Sequence, residues 1–215
     1  MKKTVKTRIA MILNILIILS TVWAVGYYFF AGPDVLGSAG TGCFKYFTTD
    51  SNVLTALASL VMLIFQCRSL RDPDASIPKS VLIIKLVGTV SVTITLLTVV
   101  FFLAPVAAAK GGWPSFLFFF TDNIFCLHLS TPLLAIAAYY LERDERVSFR
   151  NSLWALSSTV VYSIVYLVMV VFVQAWTDWY GFTFGGKLYM APVSMIAMYL
   201  LTFGLTQLFR IRKKK

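Results

Sequence analysis

Two side chains in this sequence, a hydroxyl and an imidazole, are of types suited to nucleophilic catalysis. Thr48 stands at the start of a long apolar segment, and His128, the single histidine of the chain, stands within another. A hydroxyl becomes a useful nucleophile when a base within hydrogen-bond reach takes its proton, and an imidazole titrates in the right range. We therefore predict Thr48 as nucleophile and His128 as base. Thr49 and Ser51 lie within one turn of Thr48 and stay open as alternatives.

Further polar residues surround this pair in the sequence. Asn52 is one turn beyond Thr48 on the same helix face, and its amide, Ser51 or a backbone N–H would stabilise an oxyanion. A carboxylate would orient the imidazole as the third member of a triad, and two are near enough in sequence. The predicted supporting residues are Asp50, Asn52, Asp122 and Asn123. Each also has an ordinary structural reading, since membrane helices use such side chains for interhelical and backbone hydrogen bonds.

The elements that must position these residues are membrane-spanning helices. Of the 215 residues, 59% are hydrophobic and 13% are charged, and the mean hydropathy is +0.80. A helix needs roughly 20 apolar residues to cross a bilayer. Six segments meet this requirement, at 9–31, 46–66, 80–104, 116–140, 151–174 and 188–209. The sequence predicts an all-α, multi-pass membrane protein with one six-helix domain over residues 1–215.

Basic residues predict the orientation of this bundle. They concentrate at the N-terminus, in the second and fourth loops and in the tail, whereas the remaining loops hold only Lys45, Lys110 and Lys187. Since cytoplasmic loops carry the excess of lysine and arginine, both termini are predicted to be cytoplasmic, in a plasma or inner membrane. Lys85 lies inside the third segment and is expected to snorkel to this face. The polar residues around Thr48 and His128 then fall in the outer half of the membrane.

Charge and cysteine content predict the partners. The net charge of +10 indicates an attraction to anionic lipid headgroups on the cytoplasmic face. It does not indicate nucleic acid, because no soluble basic module is available to bind it. The three cysteines, Cys43, Cys67 and Cys126, have no CxxC spacing and the chain has one histidine, so we expect no metal site and no cofactor. No pattern in the sequence specifies an oligomeric state.

At the candidate catalytic residues the chain resembles a known family. Lys45-Tyr46-Phe47-Thr48 is similar to the Lys-[Phe/Tyr]-Leu-Thr segment of the androgen-induced-protein family. His128 with Pro132 resembles the fourth-span His-x-x-x-Pro pattern of its compact prokaryotic six-span branch. Tyr162, Tyr166 and the run 179–184 resemble its span-five tyrosines and aromatic outer loop. The resemblance covers essentially the whole chain in the number of spans and the order of motifs.

This resemblance implies a membrane threonine hydrolase. Eukaryotic members cleave esters of fatty acids with hydroxy fatty acids, with residues matching Thr48 as nucleophile and His128 as base. The resemblance assigns substrate binding to Tyr162, Tyr166 and Trp179. We expect a lipid-ester substrate to enter sideways from the bilayer into an apolar groove, lined by Tyr162 and the 116–120 phenylalanine run.

Two other classes of function stay open. The first is a non-catalytic lipid-binding or scaffold protein that retains the pocket. The second is a small transporter or channel that uses Asp50, Asp122 and His128 as an ion path. A transport path needs polar residues through the full membrane depth, and the sequence predicts them mainly in the outer half. One difficulty for catalysis is depth: with the fourth span beginning at 116, His128 lies about 18 Å along its helix, deeper than Thr48.

Overall fold

The computed structural model describes residues 3–30, 40–72, 75–143 and 147–211, and this part of the chain is helical without any strand. Six helices are long and apolar enough to cross a membrane, as expected of a multi-pass membrane protein. We label them α1 to α6: Lys3–Phe30, Phe47–Arg71, Lys79–Phe120, Asp122–Glu142, Phe149–Phe172 and Met190–Arg210. A short 3-10 helix, Gly40–Lys45, precedes α2. The six predicted spans are confirmed, with shifted bounds.

The helices alternate in direction and pack around α3, the most buried of the six. α1 packs against α2 and α4, whereas α3 contacts α2, α4, α5 and α6. One end of the bundle collects the starts of α1, α3 and α5, and we call it the basic end. The other end holds the starts of α2, α4 and α6, and we call it the aromatic end. Many large apolar side chains stay exposed on the outer surface, such as Phe101, Val22 and Leu200, as a lipid-facing surface requires.

The structure corrects the boundary between the third and fourth spans. The predicted loop at 111–114 is helical on both sides of a break at Gly112, whose φ of 72° and ψ of −167° are open to glycine at little cost. α3 then continues through a 3-10 turn, Phe118–Phe120, and α4 begins at Asp122 rather than at 116. The 116–120 phenylalanines therefore end α3. Six residues into α4, His128 is about 9 Å along the helix, half the predicted depth.

α2 and α3 approach each other closely in the core at Gly88. The hydroxyl of Thr55 donates to the Gly88 carbonyl at 2.9 Å, which requires the two backbones to lie very near each other. A Cβ added at Gly88 would lie 3.0 Å from the Thr55 Cα and 3.1 Å from its Oγ1. Small residues permit this kind of approach between membrane helices.

Gly88→Ala is accordingly expected to reduce the free energy of unfolding by about 1–3 kcal/mol, because α2 and α3 must move apart. Thermal unfolding of the purified protein in detergent measures this loss. Gly204→Ala in α6 is the matched control, since a Cβ at that position has no neighbour within 4 Å. Equal melting temperatures for the two variants would contradict the tight α2–α3 packing.

Lys85 does not snorkel as the sequence suggested. Its side chain is fully buried, and Nζ donates to Asn14 Oδ1 and to Ser59 Oγ, each at 2.5 Å. Its stem is therefore held inside the bundle by polar partners on α1 and α2. A buried cation needs compensation, and side chains of other helices supply it here.

Candidate active site

Thr48 is placed by the first turn of α2, and side chains from other elements hold that turn. The backbone N–H of Phe47 donates to the Tyr180 hydroxyl at 3.1 Å, and the Tyr162 hydroxyl donates to the Lys45 carbonyl at 2.6 Å. The rings of Phe47 and Tyr162 also pack with centroids 5.1 Å apart. α5 and the loop after it therefore fix the start of α2, where the early N–H groups lack intrahelical acceptors.

His128 lies within a π-helical turn, Cys126–Ser130, in the first third of α4. Pro132 has no N–H to donate to the carbonyl of His128 four residues earlier, which favours this local widening. The imidazole is almost fully buried, at 6% exposure, and stacks on Phe119 with a centroid distance of 5.9 Å. Its Nδ1 lies 2.9 Å from the Phe119 carbonyl oxygen. A carbonyl only accepts, so Nδ1 carries the proton and Nε2 has the free lone pair.

Thr48 and His128 line one narrow cavity of about 10 Å³, which we call the histidine pocket. Its other lining residues are Tyr28, Cys43, Tyr46, Thr49 and Leu127. Asn52 ties the two helices together beside this pocket: its Nδ2 donates to the Thr48 carbonyl at 2.7 Å and to the Leu127 carbonyl at 3.1 Å. The hydroxyl and the imidazole thus come from two helices, and the Asn52 side chain links the backbones of these helices beside the two groups.

The predicted oxyanion donors are already engaged. Both amide hydrogens of Asn52 have carbonyl acceptors, so Asn52 positions the site and has no N–H left for an oxyanion. The Ser51 hydroxyl lies 3.1 Å from the Thr48 carbonyl and 3.0 Å from Thr95 Oγ1, outside the histidine pocket. This engagement also disfavours Ser51 as nucleophile, whereas Thr49 lines the pocket and stays open. In the first turn of α2 the N–H of Phe47 donates to the Tyr180 hydroxyl, and those of Thr49 and Asp50 donate to the Tyr46 carbonyl. The remaining candidate for the predicted backbone donor in this turn is the Thr48 N–H.

Neither predicted carboxylate orients the imidazole. Asp122 is the exposed first residue of α4, with a φ of 48°, and Asp50 lines a different cavity, with Phe47, Ser51 and Trp176. The Phe119 carbonyl is the group that orients the imidazole. The sequence predicts residues 116–120 in the fourth span, whereas they end α3, and this contact depends on that difference. Asn123 is buried in the first turn of α4, and its Nδ2 has no partner among the described residues.

Thr48 also lines a second, apolar cavity of about 40 Å³, the tyrosine cavity, on the α3–α5–α6 side. Tyr162 is part of its wall, and the substrate-binding role that the resemblance implies for it stays a prediction. Tyr180 and Phe182 line it as well, and the sequence analysis did not single them out individually. The only signal for them was their place in the aromatic run 179–184, and only folding of that loop over α2 and α5 brings them here.

The tyrosine cavity adjoins an open apolar groove of about 460 Å³, the lateral groove, between α3 and α6. The two share the lining residues Thr98, Tyr180, Phe182 and Met198. Phe101 and Val193, which face outward with 75% and 54% exposure, line the groove at the lipid-facing surface. The shared residues therefore place the lateral groove, which opens at the surface of the bundle, next to the cavity that Thr48 lines.

Tyr166 and Trp179, also predicted to bind substrate, lie in an aromatic cluster above the cavities. Trp179 packs against Tyr46 with centroids 4.9 Å apart, and Tyr166 packs against Trp179 at 5.3 Å. Neither residue lines the histidine pocket, the tyrosine cavity or the lateral groove. Their contacts hold the loop between α5 and α6 against the start of α2.

Asp178 organises this loop and was missed by the sequence analysis. Its carboxylate accepts from the Tyr166 hydroxyl at 2.9 Å, from the Thr183 hydroxyl at 2.6 Å and from the Thr183 N–H at 2.7 Å. Partial burial raises the Asp178 pKa, but the bonds from Thr183, Tyr166 and the Phe182 N–H outweigh burial and leave the pKa below its ordinary value.

Asp178→Asn is therefore expected to destabilise the protein at neutral pH by about 1–2 kcal/mol, because the charged acceptor is lost. A carboxylate whose pKa is depressed in the folded state stabilises the folded protein at pH values above its unfolded-state pKa of about 4. This stabilisation is lost as the pH falls through the folded-state pKa. The melting temperatures of wild type and variant should differ at pH 7 and converge below about pH 4. A constant difference across this range would exclude Asp178 as the titrating group.

No group of three histidine, cysteine or acidic side chains that would hold a metal ion occurs within residues 3–30, 40–72, 75–143 and 147–211. A comparison of the chain with protein-family models, curated proteins and solved structures finds no match. The fold and site define an all-helical bundle of six membrane-length helices with a threonine and a histidine lining one pocket.

Proposed function

We propose that the protein is a membrane-embedded lipid-ester hydrolase with Thr48 as nucleophile and His128 as base. The observation that supports this most strongly is the position of Thr48 at the junction of two cavities. It lines the histidine pocket on one side and the apolar tyrosine cavity on the other. An ester reaching Thr48 through the apolar side would meet a hydroxyl whose pocket also holds an imidazole.

The chemistry assigns one role to each atom. His128 Nε2 takes the proton of Thr48 Oγ1 as this oxygen attacks the ester carbonyl carbon. The tetrahedral intermediate expels the alcohol, which receives the proton from the imidazolium, and an acyl-threonine remains. Water, deprotonated by the same imidazole, then releases the carboxylic acid and restores Thr48. The bond between Nδ1 and the Phe119 carbonyl supports this role, because it keeps the lone pair on Nε2.

The walls of the lateral groove support the proposed substrate class. They are almost wholly aliphatic and aromatic, with Phe101, Phe184 and Leu201 among them. Such walls bind hydrocarbon chains, and a few polar groups at the inner end fix the orientation of the ester. An ester of a fatty acid with a hydroxy fatty acid, the substrate class implied by the androgen-induced-protein resemblance, fits this description.

The orientation belongs to the same proposal. Arg68, Arg71, Lys79 and Arg150 lie at the basic end with the first residues of α1. By the positive-inside rule, this end would face the cytoplasm and contact the anionic headgroups of a plasma or inner membrane. The site would then open toward the outer leaflet.

Labelling by a fluorophosphonate probe in membranes tests the proposal. Wild type should be labelled, and Thr48→Ala and His128→Ala should lose the label, because the probe reacts with an activated hydroxyl. Thr49→Ala is the matched control, a neighbouring threonine in the same pocket. Equal labelling of all four proteins would exclude the catalytic role. Lipid that co-purifies equally with wild type and Thr48→Ala, without ester turnover, would favour the non-catalytic lipid-binding function.

The distribution of buried polar residues along α2 supports the transport alternative more strongly than the sequence pattern does. Buried polar side chains extend along α2 from Asn52 through Thr55 and Ser59 to Gln66, and so continue past the outer half. However, the Thr55 hydroxyl donates to the carbonyls of Ser51 and Gly88, as expected for helix packing. The histidine pocket shares no lining residue with the cavity that Gln66, Lys79 and Glu142 line at the basic end. Proton or cation flux into vesicles containing the protein would establish transport instead.

A further inference from the structure

A further cavity, with neither Thr48 nor His128 in its lining, lies at the basic end. Its volume is about 380 Å³, and we call it the basic-end cavity. α1, α2, α3, α4 and the 75–78 segment all contribute to its walls. The polar lining residues are Lys6, Thr7, Gln66, Ser69, Ser76, Lys79 and Glu142, and the apolar ones include Ala10, Ile77, Leu82 and Leu141.

Glu142 is the unusual member of this lining, because it is a carboxylate with only 6% exposure. Its Oε1 accepts from Asn14 Nδ2 at 2.5 Å and from Gln66 Nε2 at 3.0 Å. Its Oε2 is buried and has no hydrogen-bond partner among the described residues. A buried acceptor without a donor costs about 1–3 kcal/mol, and more when it is charged. A ligand that donates a hydrogen bond to this oxygen would therefore stabilise the protein.

Behind Glu142 a hydrogen-bond network continues into the bundle. Asn14 connects the carboxylate to Lys85, since its Nδ2 donates to Glu142 and its Oδ1 accepts from Lys85 Nζ. Lys85 is fully buried and also donates to Ser59. Glu142 itself lines the basic-end cavity, so a local shift of its carboxylate would let a donor bound there reach Oε2.

We propose that the basic-end cavity binds the headgroup of an amine-bearing phospholipid. The primary ammonium would donate to Glu142 Oε2, and the phosphate would lie between Lys6 and Lys79. A simple cation would meet two lysines, and a simple anion would leave Oε2 unpaired, so a zwitterion satisfies the lining best. The apolar residues Ile77, Leu82 and Leu141 suit the glycerol ester region of a lipid. This inference does not depend on the hydrolase proposal.

The test compares three phospholipids added to the purified full chain in detergent, with binding read by native mass spectrometry and by the melting temperature. Phosphatidylethanolamine has both an ammonium N–H and a phosphate, phosphatidylcholine has the charges without the N–H, and phosphatidylglycerol has the phosphate alone. We expect phosphatidylethanolamine to bind at least ~10-fold more tightly than phosphatidylcholine, because only it can donate to Oε2. Equal binding of the two would overturn the proposal.

Variants separate binding from folding. Glu142→Gln keeps an Oε1 acceptor for Asn14 and Gln66 but should lose the preference for phosphatidylethanolamine. If that variant is too unstable, the double variant Lys85→Met/Glu142→Gln removes both buried charges together and should show the same loss. Asp178→Asn, an acidic residue at the aromatic end, should keep the preference. A preference that survives in the double variant would overturn the proposal.

Soluble phosphoethanolamine distinguishes a lipid from a free metabolite with the same chemistry. We expect it to compete weakly, since it lacks the part of the lipid that Ile77, Leu82 and Leu141 would contact. Lys79→Gln should weaken phosphatidylethanolamine and phosphatidylglycerol alike, by removing a phosphate partner. Competition by phosphoethanolamine as strong as by the lipid would overturn the assignment to a membrane lipid.

Discussion

Thr48→Ala is expected to reduce the turnover of a long-chain ester by at least about 10³-fold, and His128→Gln by a similar factor, because nucleophile and base act as one unit. Thr48→Ser should retain a measurable part of the activity, since it keeps an oxygen at the same place in the first turn of α2. The measurement is release of free fatty acid from esters presented in mixed micelles, with initial rates over a range of ester concentrations.

Thr49→Ala and Asp50→Asn provide the controls for this prediction. Thr49 shares the histidine pocket but does not line the tyrosine cavity, and Asp50 lines a separate cavity. Both variants should stay within a few-fold of wild type. Loss of turnover in Thr49→Ala with activity preserved in Thr48→Ala would move the nucleophile by one residue. Unchanged turnover in His128→Gln would exclude the imidazole as base.

Lys85→Met is expected to reduce the free energy of unfolding by about 3–5 kcal/mol, which is the largest stability effect predicted for this chain. The substitution leaves Glu142 as a buried carboxylate without the cation that is joined to it through Asn14. It also removes the donor to Asn14 Oδ1 and Ser59 Oγ. Glu142→Gln should be destabilising for the reciprocal reason, since Lys85 then has no buried counter-charge.

The double variant Lys85→Met/Glu142→Gln should be more stable than either single variant, because no isolated charge stays in the bundle. Unfolding by heat or by SDS titration in mixed micelles measures the three differences. Lys110→Met, at an exposed lysine, is the control and should stay within about 0.5 kcal/mol of wild type. Additive losses in the double variant would contradict coupling between Lys85 and Glu142 through Asn14.

The site was predictable from residue types to a limited extent. The prediction that Thr48 and His128 act together needed only their chemistry and the family resemblance, and it stays a prediction that the experiments above test. Their relative depth was not predictable, because it depends on where α3 ends. Apolar phenylalanines at 116–120 read equally well as the start of α4, and hydropathy does not register the break at Gly112.

Partners of the polar residues were the least predictable feature. Asn52 was expected to face an oxyanion and instead joins the backbones of Thr48 and Leu127. Asp50 and Asp122 were expected near the imidazole, and the Phe119 carbonyl occupies that place. Each of these outcomes depends on atoms from another helix or turn, and the spacing of residues along one segment contains no information about those atoms.

Hydropathy and charge along the chain were sufficient to predict six membrane helices, because transfer into hydrocarbon is nearly additive over each segment. Tertiary packing alone decided that Lys85 is buried rather than exposed, that Tyr180 and Phe182 close a cavity beside Thr48, and that His128 lies close to the depth of Thr48. The physical reason is that a polar or aromatic side chain takes its place from the donors, acceptors and surfaces that other helices bring to it.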